Sequence, residues 1–438
     1  MAATLSDKAS DFSGWLMLGY PGSAFKAGLG AFWAGIGCLF GTLADYVLIG
    51  PRLRIYAGKF RAITVPDYLE ARLKDTTKLI RILSALIIIV FMTAYVAAQF
   101  AAGGKTFAEG FGISDNAGII LTVIIMTAYV ITGGFFAVVW TDVVQALFML
   151  LTLIVVPFLA LAKIGGLDKA TQVIASADPP NKLHPPFGGA TGWAAIIFAI
   201  GYASWIVGYL GQPHIVTRYM SVEDPRKLRR PGIFISGIWT TIVLWGGAFF
   251  AGFLGFAMYQ AGILQVSDPE KVIPAMAVEL MPGWIAGFVI AGIISAVMST
   301  ADSQLLVASS AIARDFYHKV LGKELGKKQM VNISRVVVAV VALVGLWFAI
   351  SGPKVIYQMV ATAWGGLAVG FGPILTLSLW WKRVTKEGGI VGMAYGLISE
   401  VIFEAKIYGW AFNPDAPASS APSEAGSTAS RCSSLTSS

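Results

Sequence analysis

The sequence predicts an all-α polytopic membrane protein, and three observations carry that prediction. Hydrophobic residues make up 56% of the chain and charged residues only 13%, about half the charge of an average soluble domain. The apolar residues are gathered into long blocks, such as 119–130 and 147–162, that contain no charge. Lysine and arginine are concentrated in alternate loops between those blocks. The mean hydropathy of +0.72 agrees.

Blocks that are continuous rather than alternating point to helices, which satisfy their own backbone polar groups in lipid. Stretches of about 20 apolar residues cross a bilayer in that form. In chain order the expected spans are 9–21 (partial), 27–50, 78–108, 113–133, 134–163, 191–212, 229–260, 283–313, 329–351, 354–382 and 388–410. The first is too short to cross and carries Asp11, Ser13 and Trp15 among glycines. The third and eighth are unusually long.

Charge orients these spans. Residues 51–81 hold eight Lys and Arg, 213–230 hold five, 314–335 hold six and 382–386 hold three, together 22 of the 32 in the chain. The positive-inside rule makes these loops cytoplasmic. The net charge of +8 follows from that asymmetry facing anionic lipid, and gives no reason to invoke nucleic acid. The two cysteines, Cys38 and Cys432, form neither a disulfide framework nor a metal spacing. The absence of a P-loop, a nucleophile elbow and a zinc motif leaves ATP-driven transport and hydrolysis without support. The chain reads as a transporter rather than an enzyme, and no obligate protein partner is evident.

Two domains are expected: a transmembrane transporter region over 1–410 and a tail over 411–438. The tail is rich in Ser, Ala and Pro with no apolar period. It reads as disordered, or as an artefact of the reading frame.

Three segments are unlike passive lipid-facing helices. Ala9-Ser10-Asp11-Phe12-Ser13-Gly14-Trp15 places a carboxylate, two hydroxyls and a glycine at bilayer depth. Unwinding there frees backbone groups, which is tolerated only where they face protein, ion or water. Gly201–His214 breaks a second apolar helix with glycines at 201, 208 and 211 and with Pro213. Within it Trp205 and Tyr209, four residues apart, share a face. In the third segment Ala296, Ser299, Thr300 and Ser303 recur at i, i+3, i+4 and i+7 on one helix face. Two hydroxyls there, with carbonyls from a broken helix, suit a hard monovalent cation such as Na⁺.

Intramembrane acids are costly and usually functional, so Asp302, in that third segment, and Asp142 are marked as well. Asp45, just before Pro51-Arg52, reads as an interfacial or Arg-paired residue. Tyr95 reads as packing by composition alone. The interrupted helices near 9 and 201, each followed two helices later by an unusually long one, point to an inverted-repeat transporter with a midplane site.

At these residues the sequence resembles the sodium/solute symporter family, and within it the bacterial proline-transporting members. The resemblance runs from about Ala9 to Gly396. Its anchors are 9–15, Thr64–Tyr68, Trp140-Thr141-Asp142, Gly208–Ile215 and Ala296–Thr300. It implies a LeuT-type core of two inverted five-helix repeats with flanking helices, in the bacterial cytoplasmic membrane. It also implies a sodium site made by the carbonyls of Ala9, Phe12 and Ala296 with the hydroxyls of Ser299 and Thr300. Asp11 corresponds to an acid needed for tight sodium coupling. Ser13, Gly14, Trp15, Tyr95, Trp205 and Tyr209 correspond to an L-proline pocket, in which rings cover the pyrrolidine and unwound amides receive the carboxylate. A second ion site in some relatives maps to Asp142, Asp302 and Ser303, where Asp302 replaces an expected neutral ligand.

Against the family pattern, an initial helix and the cytoplasmic half of the broken helix are expected to be missing, as is a helix beyond 410. The function implied is sodium-coupled uptake of proline by alternating access. Its alternatives are a symporter for pantothenate, a monocarboxylate or a sugar, a transporter-like sensor domain, or an inactive fragment.

Overall fold

A computed structural model describes residues 2–177, 190–322, 326–352 and 355–407. Among these residues the chain is helical and contains no strand. The expected tail, 411–438, and the end of the last expected span lie outside the described residues.

The chain opens with α1 (Ala2–Asp11), a break over 12–14, and a widened π turn at Trp15–Gly19 that leads into α2 (Tyr20–Ala27). This corrects the expectation for the first span. Its cytoplasmic half is present as α1, which the polar run Ser6-Asp7-Lys8 had hidden from a hydropathy reading. Gly28, at φ 56°, reverses the chain in a conformation that favours glycine. The return leg is α3 (Phe32–Ala44), a π turn at Asp45–Ile49, and α4 (Gly50–Phe60). A short cytoplasmic helix, α5 (Val65–Leu73), starts with a capping box in which Thr64 and Asp67 bond each other's backbone amides.

The long α6 (Leu79–Phe111) crosses back outward. It is followed by α7 (Asp115–Ile164), whose helical hydrogen bonding runs through 50 residues. The hydroxyls of Tyr129 and Thr141 nevertheless touch. Twelve residues of straight helix would hold them about 18 Å apart, so α7 folds back on itself. It supplies two spans, 115–133 and 138–164, as the apolar blocks predict.

After α8 (Leu167–Ala177) comes a second interrupted span. It is built from α9 (Trp193–Ala203), α10 (Trp205–Tyr209) and α11 (Pro213–Ser221) and bends by 41° at 210–212. Then follow α12 (Arg230–Thr241), a π stretch at Ile242–Phe249, α13 (Phe250–Gln260), the extracellular α14 (Val272–Leu280) and the long α15 (Gly283–Ser310). The last three are α16 (Lys327–Ser351), α17 (Ile356–Trp380) and α18 (Lys386–Ile407).

By length and composition eight of the described helices can cross a membrane, or nine when the bent pair counts as one. Large apolar side chains such as Phe158, Phe234, Trp284 and Trp347 point outward from the bundle, as lipid-facing residues do. The interior holds small residues that let backbones approach, such as Gly211 against Gly372 and Gly118 against Gly104, alongside large buried rings such as Tyr20 and Phe100. α15 lies against α6, α7 and α1, and α1 also contacts α7 and α11. The break at 12–14 therefore sits in the middle of the bundle.

Candidate functional site

The break in α1 and the polar face of α15 meet directly. Ser299 Oγ donates to the Ala9 carbonyl at 2.8 Å and lies 3.2 Å from the Ala296 carbonyl. Thr300 Oγ1 donates to the Ser10 carbonyl at 3.0 Å. The helix-period face read from the sequence is thus turned onto the opening segment. Ala9, Phe12, Ala296, Ser299 and Thr300 are all buried, and the carbonyls of Ala9, Ser10 and Ala296 meet the two hydroxyls where α1 stops using its carbonyls internally.

Asp142, Asp302 and Ser303 are also brought together, around a residue the sequence reading passed over. Arg218, on α11, bonds Asp142 Oδ2 at 3.1 Å, Ser303 Oγ at 2.6 Å, Ser6 Oγ at 2.9 Å and the His214 carbonyl at 2.6 Å. Asp142 also accepts from Ser6 at 2.6 Å. Ser303 donates to Asp302 at 3.0 Å. The guanidinium of Arg218 is therefore a fixed cation among the three residues of the second expected ion set. Asp45, expected as an interfacial or Arg-paired residue, is fully buried.

Beside the break lies a cluster of aromatic rings, called here the aromatic chamber. Trp15 and Trp205 are 4.6 Å apart between ring centroids. Tyr209 meets Trp364 edge-on at 4.9 Å, and Trp205 meets Trp364 at 5.7 Å. Tyr95 OH approaches Ser13 Oγ at 3.5 Å, and Ser13 Oγ in turn accepts the Trp15 amide at 3.1 Å. The six residues expected around the solute therefore lie together. Asp11 stands beside them on α1, paired with Lys8 at 2.9 Å.

Three members of this region were missed from sequence. Gln99 Oε1 accepts the Gly14 amide, freed by the break, at 2.8 Å. Trp364 and Tyr357, from α17, line the chamber. Gln99 had a visible signal, being an uncharged polar residue one turn after Tyr95 in an apolar helix. Trp364 had none, although Gly208 is flat against its indole and leaves no room for a Cβ.

The two sides of the site differ. From the cytoplasm a cavity of about 570 Å³ reaches inward, lined by Thr64, Pro213, His214, Arg218, Ser303 and Asp315 among others. Near its mouth Arg81 ties Asp67 at 3.0 Å to Asp315 at 2.6 Å, and Arg314 bonds Asp67 at 3.0 Å. Burial works against ionisation of Asp67, yet Arg314 and Arg81 hold its carboxyl below the ordinary value. Burial also pushes the hydroxyl of Tyr68, bonded to Ser378 at 3.0 Å, up to about 12.

On the extracellular side polar bonds tie α6 to the loop before α14 and to the start of α17. Lys105 bonds Asp268 and Glu270, each at 2.6 Å. Glu270 also accepts the amides of Ile356 and Tyr357 at 2.9 Å, where a carboxylate suits the positive end of α17.

Comparisons with known proteins show the family and the fold. The family model described as the sodium:solute symporter family matches residues 1–396. Sodium/proline symporter 2 of Staphylococcus saprophyticus is 38% identical over 408 residues, covering 91% of this chain and 77% of that protein. The sodium/proline symporter of Staphylococcus aureus is 38% identical over 412 residues, covering 92% and 78%. A solved structure of a Na⁺-coupled sialic acid symporter in a substrate-bound outward-open state superposes with a TM-score of 0.73 at 22% identity, covering 93% of this chain and 84% of that one. At that identity the likeness speaks to the fold.

Proposed function

The chain belongs to the sodium:solute symporter family and is a multi-pass cytoplasmic-membrane protein that couples solute movement to sodium; from that premise we propose that its solute is L-proline. The ion is held by the carbonyls of Ala9, Phe12 and Ala296 with the hydroxyls of Ser299 and Thr300. The observation that carries this reading is the pair of hydroxyl-to-carbonyl contacts between α15 and the break, Ser299 to Ala9 and Thr300 to Ser10. A sodium ion entering there exchanges those bonds for contacts to the same oxygens. It then pins the end of α1 to α15.

The solute sits on the far side of the break. Trp15, Trp205 and Tyr209 supply apolar faces for a pyrrolidine, with Tyr95, Trp364 and Tyr357 completing the wall. Ser13 supplies a hydroxyl for the carboxylate, and the bond from the Gly14 amide to Gln99 keeps the break in its unwound form. Two relatives bear the name sodium/proline symporter, which favours proline over pantothenate, a monocarboxylate or a sugar. Sodium binding shapes the segment that the solute then covers. By linkage each raises the other's affinity by the same factor. The inward sodium gradient and the membrane potential drive the cycle, the latter by about 2.3 kcal/mol per charge per 100 mV.

Asp142, Asp302 and Ser303 carry no second sodium in this reading as long as Arg218 stays among them. Competition in proteoliposomes tests the solute assignment. Unlabelled proline is expected to suppress sodium-driven uptake of labelled proline, while pantothenate, pyruvate and glucose leave it unchanged. Absence of sodium-driven proline uptake, or its suppression by one of those three as strongly as by proline, overturns it.

A further inference from the structure

Lys8 places a cation inside the broken span, and neither the ion set nor the solute set uses it. Its ammonium lies 2.9 Å from Asp11 Oδ2, with both side chains only 1% exposed. Beyond the carboxylate, the ring centroids of Phe12, Tyr46 and Tyr209 stand 5.8, 5.7 and 6.0 Å from the same nitrogen. At such distances ring faces attract an ammonium. A buried ion pair is weak evidence of a stabilising role, because desolvation offsets the mutual attraction. At membrane depth an ionisable pair is read first as functional.

Its position says which function. Lys8 and Asp11 are three residues apart on α1 and flank Ala9 and Ser10, whose carbonyls receive the α15 hydroxyls. Asp11 is followed directly by Phe12, whose carbonyl belongs to the ion set. The Tyr209 ring beside the ammonium belongs to the solute set. A charge here acts on both.

We propose that Lys8 is a tethered counter-cation that balances Asp11 and so sets the sodium affinity of the break. This rests on the sodium assignment made above. With the pair intact, the charges of Lys8 and Asp11 offset each other at the neutral oxygens that receive the ion. Removing the ammonium takes one positive charge from beside those oxygens, and sodium binds more tightly. Removing the carboxylate takes away the charge that offsets the ammonium, and sodium binds less tightly. Removing both cancels the two effects and restores sodium binding. Lys8 thereby keeps the ion loosely enough held to leave for the cytoplasm, and it explains how an acid so close to the ion is tolerated before the ion arrives.

The test compares wild type with Lys8→Met, Lys8→Arg, Asp11→Asn and the Lys8→Met/Asp11→Asn double variant, all as the full chain in proteoliposomes. The readouts are the sodium concentration for half-maximal proline uptake and the binding of radioactive sodium to the purified protein. Lys8→Met is expected to lower the sodium half-saturation by tenfold or more, since one charge about 4 Å away is worth about a thousandfold at an effective dielectric of about 20, and less as the distance grows. Lys8→Arg, which keeps the charge, stays nearest to wild type. Asp11→Asn loses sodium binding and the double variant regains it, a rescue that a merely structural Lys8 would not produce. Lys8→Gln, which still donates a hydrogen bond to Asp11, serves as a second neutral variant. An unchanged half-saturation in both neutral variants, with Asp11→Asn equally inactive in either background, overturns the proposal. Failure of the underlying site is separate: it shows as intact sodium dependence in Ser299→Ala/Thr300→Ala.

Discussion

Ser299 on α15 donates its hydroxyl to the carbonyl of Ala9, 290 residues earlier in the chain, at 2.8 Å. A helix interior would have consumed that carbonyl. It is available because α1 ends at Asp11 and the chain runs non-helically through Phe12 and Ser13. The same break frees the Gly14 amide for Gln99. One interruption therefore exposes acceptors toward α15 and a donor toward the aromatic chamber.

Gln99 holds the break open on the chamber side. Gln99→Ala leaves the Gly14 amide buried without its acceptor, at a cost of about 1–3 kcal/mol. Proline affinity is expected to fall roughly tenfold or more, by the tenfold-per-1.4 kcal/mol relation, while Gln99→Glu retains an acceptor and loses less. Equilibrium binding of labelled proline at saturating sodium measures this.

Gly14 has no room for a side chain, since a Cβ would stand 2.5 Å from that of Ala102 and 3.2 Å from the Gln99 amide oxygen. Gly14→Ala is expected to abolish uptake while the protein still inserts. Loss of insertion would mean that Gly14 serves folding of α1 against α6 instead. Detergent-solubilised size-exclusion profiles beside uptake separate the two.

Much of this was readable in the sequence, and the unreadable part has a physical pattern. Spans followed from apolar blocks, sidedness from arginine and lysine, and the Ser299/Thr300 face from a period of three and four. Each of these signals is local. Arg218, Lys8 and Trp364 carry their roles only through partners far away in the chain. Arg218 looked like one more cytoplasmic base until Asp142 and Ser303 were placed on it. Lys8 and Ser6 made α1 look like a solvated start, because hydropathy counts a polar side chain as exposed and knows nothing of the Asp11 carboxylate or Tyr46 ring that surround the ammonium.

The extracellular closure depends on Lys105 and Glu270. Removing one partner of a buried pair costs about 3–5 kcal/mol, so Lys105→Ala is expected to shift the population toward an extracellularly open form. A cysteine replacing the buried Ser23, next to Gly22, which packs against Glu270, should then react faster with a membrane-impermeant thiol reagent in a Cys38→Ala/Cys432→Ala background. Equal rates with and without Lys105 would place the closure elsewhere.

Asp67 gives the cytoplasmic latch an acid limit. Its folded-state carboxyl lies below the ordinary value of 3.8, so its contribution to stability is fully present above that value and is lost as pH falls through the folded one. The thermal stability contributed by this group is therefore expected to be flat through the neutral range and to decline only in strong acid. Asp67→Asn should lower stability at neutral pH and flatten the acid limb. Melting curves of the purified protein across pH, with and without the substitution, read both effects.

The most direct measurement of the central claim is proline accumulation in proteoliposomes bearing an inward sodium gradient, with wild type beside Ser299→Ala/Thr300→Ala. The account predicts sodium-driven accumulation by wild type, and in the variant a sodium half-saturation raised by about tenfold or more, as the loss of one to two kcal/mol of ion contacts implies. Sodium dependence identical in the two proteins would contradict it.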